Sequence, residues 1–86
     1  MKKKYLDELC ALFVGVRCSQ QSLLLLKDML TPQELASLTE RLQIFKLLKR
    51  HVPHRKISED LGVSISKVTR GSHAFKKSRS VVTRMK

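Results

Sequence analysis

The stretch His54-Arg55-Lys56-Ile57-Ser58-Glu59-Asp60-Leu61-Gly62-Val63-Ser64-Ile65-Ser66-Lys67-Val68-Thr69-Arg70-Gly71-Ser72 decides the fold. Its apolar spacing predicts two short helices, over 54–61 and 65–76, separated by Gly62-Val63-Ser64, which is the spacing of a helix-turn-helix. Ile57 and Leu61 point inward from the first helix. Gly62 supplies the positive φ that a sharp turn needs, Val63 plugs the corner, Ser64 caps the second helix and Val68 returns to the core. Ser58 departs from the pattern, because Ala is commoner there.

Upstream, three longer helices are expected. Over 5–17 the apolar residues Leu6, Leu9, Leu12, Phe13 and Val16 recur at helical spacing. Ser19 can cap a second helix, ending near Met29, whose Leu23-Leu24-Leu25-Leu26 run is apolar all round, as at a subunit interface. Thr31-Pro32-Gln33-Glu34 starts a third helix reaching about Arg50. Thr31 is its N-cap, Pro32 occupies the first position where no donor is lost, and Glu34 closes a capping box. Its expected inward stripe is Leu35, Leu38, Leu42, Phe45 and Leu48. Pro53 ends this helix or opens the next. The fold class is therefore all-α, a single small helix-turn-helix domain over 1–86. Residues 1–50 are read as a dimerisation core, 54–76 as a DNA-reading head and 77–86 as a basic tail.

Size and charge point the same way. A lone chain of 86 residues buries little surface, yet 42% of its residues are hydrophobic and most lie in the first half, so a partner subunit is the simplest cover. The formal charge is +11. Residues 1–40 hold five Lys/Arg against five Asp/Glu, whereas 41–86 hold thirteen against two, so the whole excess lies with the reading head and tail. Such a surface meets a polyanion, nucleic acid first and anionic membrane second.

Several classes are excluded. Cys10 and Cys18, about 12 Å apart in helical rise, are beyond disulfide reach and read as buried thiols of a cytoplasmic protein. Lys2-Lys3-Lys4 before Leu9 imitates a secretory signal, but Asp7 and Glu8 interrupt it, and neither export nor a membrane span is expected. His51 and His54 lack the Cys or carboxylate partners of a metal site and read as exposed loop histidines. No nucleophile elbow, paired carboxylates or glycine-rich phosphate loop suggests an enzyme.

Two segments narrow the reading further. Met29-Leu30-Thr31-Pro32-Gln33-Glu34 with Arg41, and Gly62 to Ser72 with its Thr69-Arg70-Gly71-Ser72 ending, resemble the tryptophan repressor family. The resemblance covers residues 29–76. It implies an intertwined helical homodimer with two reading heads, binding a DNA operator as a transcriptional repressor of tryptophan biosynthesis or transport genes. L-tryptophan would be the corepressor, in a pocket between core and head, and no other cofactor is implied. By position, Arg41 would lie along the indole, Arg70 would pair with the ligand carboxylate, Leu30 and Thr31 would lie near its amino group, and Gly71 would stand beside the pocket. The chemistry fits an amino acid: a guanidinium fork for its carboxylate and helix-end carbonyls for its ammonium. Departures are Lys67, where the family often has a small Thr, and Ala74, where a Ser can hold the amino group. The loop before the head is one residue shorter, and a short basic tail stands for the family's last helix.

A recognition helix entering the major groove would present Ile65, Ser66 and Lys67 to base edges: an apolar contact for a thymine methyl, a hydroxyl, and a donor for guanine. Thr69, Ser72 and His73 would face phosphate, and Arg55 and Lys56 would meet the backbone or a groove edge. Two copies predict a palindromic double-stranded operator and steep salt dependence. Two other readings are open: a ligand-independent DNA-binding regulator of the same superfamily, and a protein- or membrane-surface interaction module built on the apolar helices and basic tail.

Overall fold

The computed structural model describes residues 1–77; the basic tail lies, apart from Lys77, outside the described residues. The described chain is all helix and connection: α1 (Lys3–Val14), α2 (Ser19–Met29), α3 (Pro32–Lys49), α4 (His54–Leu61) and α5 (Ile65–Lys77). It divides into two compact units, one of residues 1–35 and one beginning at Ala36.

In the first unit α1 ends at Val14, capped by Gly15, whose N–H donates to the Ala11 carbonyl. That is three residues short of the expected end at Arg17. Ser19 is the first residue of α2, not its cap; Cys18 takes the extended cap position, and the Arg17 N–H donates to Oε1 of Gln21 at 2.9 Å. The glutamine reaches back in the manner of a capping-box third residue and serves an amide that Ser19 cannot reach. Neither α1 nor α2 buries a side chain within the single chain. Leu12, Phe13, Leu23 and Leu24 are all exposed, more apolar surface than a monomer tolerates comfortably. Cys10 and Cys18 are exposed as well, on α1 and at the start of α2. The expectation of buried thiols on one helix is corrected: the single chain has nothing packed over them.

The start of α3 follows the sequence. The Thr31 N–H donates to Oε1 of Glu34 at 2.8 Å and the Glu34 N–H donates to Oγ1 of Thr31 at 3.1 Å, a reciprocal capping box. The Thr31 amide, then its hydroxyl, hold the Glu34 carboxyl below its ordinary pKa. A depressed carboxylate stabilises the fold above its unfolded pKa, and that support is lost as pH falls through the lowered folded value. The Thr31 amide resonance should therefore titrate by NMR with a midpoint below the ordinary glutamate range; a midpoint at or above it contradicts the cap.

In the second unit the inward face of α3 is Ile44, Leu47 and Leu48, with Ile44 3% exposed, while Leu42 is exposed. Of the expected stripe, Leu48 lies on that inward face and Phe45 is half-buried, whereas at 100° per residue Leu35, Leu38 and Leu42 lie on nearly the opposite side of the helix from Ile44 and Leu47. α3 is apolar on two sides; Ile44 and Leu47 pack with the helix-turn-helix, joined from the expected stripe by Leu48 and, through Phe75, by Phe45. α3 closes with a Schellman turn: His51 at φ 61°, the Val52 N–H donating to the Leu47 carbonyl at 3.1 Å and the His51 N–H to the Leu48 carbonyl at 2.9 Å. Val52 then packs on the core, and Pro53 caps α4 in extended conformation.

α4 and α5 form the expected pair, α5 reaching one residue further than 65–76. Ile57 and Val68 are fully buried against Ile44, ringed by Leu47, Leu48, Val52, Leu61 and Val63. Gly62 adopts φ 65°, ψ 34°, the left-handed conformation that a Cβ disfavours. Ser58 explains its own departure from the pattern. Its hydroxyl donates to the Val63 carbonyl at 2.5 Å while the Val63 N–H donates to the Ser58 carbonyl at 3.2 Å, pinning the turn from both sides.

Candidate nucleic-acid interface

The outward surface of the head follows from what α5 buries. Ser64 caps it, Oγ accepting from the Lys67 N–H at 3.2 Å. With Val68 fixed inward, the first turn must face out, and Ile65 (50% exposed), Ser66 and Lys67 do. An exposed isoleucine beside a hydroxyl and an ammonium is a poor solvent face but a serviceable set for base edges. Thr69 is exposed too, its hydroxyl donating to the Ile65 carbonyl at 3.0 Å, a bond that a phosphate oxygen would have to replace. His73 is exposed further along the helix.

Ser72 differs from expectation. It is 6% exposed, on the buried side of α5 one residue after Gly71, and so leaves the outward-facing set. Three to four residues beyond Val68, positions 71 and 72 follow the inward stripe, a spacing that the phosphate assignment had overlooked.

Arg55 and Lys56 are exposed at the start of α4, Lys56 3.4 Å from the Asp60 carboxylate. Lys67 makes a longer-range pair: its Nζ donates to Oε1 of Glu40 at 3.1 Å, both side chains about half exposed, tying the first turn of α5 to the middle of α3. Glu40 was not singled out from the sequence as a partner for Lys67, and 27 residues of separation leave no local signal for the pair. As an exposed pair it contributes at most about 1 kcal/mol, so a phosphate or guanine can take Lys67 from it.

Of the residues expected to hold a ligand, Leu30 and Thr31 belong to the first unit, Leu30 half-buried and Thr31 exposed. Arg41, Arg70 and Gly71 belong to the second. Both guanidiniums are exposed, and neither makes an ion pair or side-chain hydrogen bond among the described residues. Gly71 is buried, and a Cβ there would lie 2.9 Å from Cγ2 of Ile44. The glycine lets α5 approach α3, where Phe45 and Phe75 also meet, ring centroids 5.7 Å apart. Because Ile44 is itself walled in, Gly71→Ala is expected to cost about 1–3 kcal/mol through overpacking, offset by up to about 1 kcal/mol of helix propensity. Urea unfolding checks this; an unchanged midpoint contradicts the close approach.

Among the described residues no helix is long and apolar enough to cross a membrane, and no group of three His, Cys, Asp or Glu side chains is placed to hold a metal ion.

Comparison with known proteins adds three findings. A family described as Trp repressor protein matches residues 4–84. A Trp operon repressor homolog of Vibrio parahaemolyticus is 48% identical over 59 residues, 67% of this chain and 57% of that protein. Homologs carrying the same description match from Vibrio campbellii, 46% identical over 67% of this chain and 59% of theirs, and from Vibrio atlanticus, 43% identical over 62% and 55%. The matched part thus spans less than two thirds of these relatives. No solved structure matches the chain.

Proposed function

The chain belongs to the Trp repressor protein family, and from that premise we propose that it is a sequence-specific DNA-binding transcriptional repressor, not an enzyme. It acts in the cytoplasm as a homodimer on a palindromic operator of tryptophan biosynthesis or transport genes, with L-tryptophan as corepressor. Residues 1–50 serve dimerisation and 54–76 read DNA. The observation that carries the reading is the outward first turn of α5, where Ile65, Ser66 and Lys67 are exposed on a helix fixed by Ile57 and Val68. These three address bases; Arg55, Lys56, Thr69 and His73 address phosphate. The exposed leucines of α1 and α2 support a dimer, because a second chain would cover them.

L-tryptophan is assigned to Arg41 and Arg70, with Leu30, Thr31 and Gly71 completing the set. The two guanidiniums, unpaired among the described residues, support this: a fork without an acidic partner there is available to a carboxylate. A second reading, ligand-independent DNA binding, draws on the Lys67 to Glu40 bridge, which ties α5 to α3 through side chains alone. DNA binding is tested by selecting duplexes from a randomised pool with wild-type protein and with Lys67→Ala. The variant should lose about tenfold in affinity for the wild-type consensus and relax selectivity at one position per half-site. An identical consensus and affinity removes Lys67 from base recognition.

A further inference from the structure

We propose that the corner where α3 ends and α4 begins is an additional phosphate-contact surface, in which Lys49 and Arg50 extend the DNA backbone footprint beyond the helix-turn-helix. The proposal rests on the DNA-binding reading above. Between Glu40 and Glu59 the chain has no acidic residue, while 41–58 hold six Lys/Arg and two His. The Schellman turn at His51 ends α3, and only three residues separate Lys49 and Arg50 from His54, Arg55 and Lys56, all five exposed. Val52 anchors that turn on the core, so the charges are presented by a fixed corner and lose little freedom on binding.

Lys46 and Lys49 in the last turn of α3 would answer its dipole by themselves. Arg50 and Arg55 add like charge with no carboxylate paired to them among the described residues, a repulsion that a polyanion relieves. The partner fitted is the phosphate backbone of double-stranded DNA. Arg55 belongs to the proposed footprint already, and the corner continues it without an intervening acidic residue.

The test is the salt dependence of binding to random-sequence duplex DNA by the wild type, Arg55→Gln and the double variant Lys49→Gln/Arg50→Gln. Each phosphate contact contributes about 0.9 to the slope of log affinity against log salt, so the double variant should be shallower by about 1–2. It should also bind selected and random duplexes more weakly by the same factor. If it does not fold, Arg50→Gln alone, past the end of α3, must make the slope shallower by about 1. A slope lowered by Arg55→Gln but unchanged by the corner variant overturns this inference and leaves the DNA-binding reading standing. A wild type with no salt-dependent DNA binding overturns both. If instead the corner variant loses binding to phosphatidylserine vesicles with its DNA slope intact, the corner belongs to a membrane surface and the inference fails.

Discussion

Ile57→Ala is expected to unfold the reading head. Ile57 is fully buried and lies with Ile44 and Val68 at the centre of the only cluster of buried apolar side chains among the described residues. Removing its branch leaves a cavity that helices this short close only in part, at a cost of about 2–5 kcal/mol. A domain of this size has about 3–5 kcal/mol to lose. Circular dichroism melting should show the transition lowered or lost, and DNA binding should fall with it at every salt concentration. Ile57→Val, which keeps the shape near the backbone, should cost only about 0.5–1.5 kcal/mol. The contrast with Ile65→Ala is the sharper control: half exposed, Ile65 should leave melting unchanged to within about 0.5 kcal/mol while altering sequence preference. Equal melting of Ile57→Ala and Ile65→Ala contradicts the core.

Arg70→Ala is expected to weaken tryptophan binding by at least about tenfold. A charge-assisted hydrogen bond to a carboxylate is worth about 1.5–3 kcal/mol, a loss of roughly 10- to 150-fold. Because Arg70 is exposed and unpaired among the described residues, its removal leaves no buried partner stranded, and the variant should melt as the wild type does. The chain contains no tryptophan and one tyrosine, so the emission of added L-tryptophan reports the ligand with little protein background. Arg70→Lys keeps the charge without the fork and should fall between the two. Wild-type affinity retained by Arg70→Ala removes the residue from the ligand set. No saturation of the wild type at millimolar tryptophan leaves the ligand-independent reading.

The helix-turn-helix was legible because its information is local. Gly62, Val63 and Ser64 each meet a steric or capping demand within four residues, and the observed α4 matches its expected bounds. The same holds for Thr31 and Glu34, whose reciprocal bonds span three residues. Legibility failed where an element had more than one choice. α3 carries apolar residues on two sides, and only the position of α4 and α5 selects Ile44 over Leu42. Ser72 looked polar and available, but the close approach permitted by Gly71 turns that side of α5 inward. Glu40 finds Lys67 across two helices, a pairing set by packing rather than by spacing. The exposed thiols follow a similar logic, since burial expected of Cys10 and Cys18 presupposes a cover that one chain does not supply.

We infer a dimer that reads DNA under the control of tryptophan. Its most direct test is the fluorescence anisotropy of a labelled palindromic duplex, selected from the randomised pool, titrated with the protein with and without L-tryptophan. A tryptophan-gated repressor dimer is expected to bind as two chains per duplex, weakened steeply by salt and tightened by tryptophan, with a random duplex bound far less well. Equal affinity for the selected and random duplexes, unaffected by tryptophan, contradicts it.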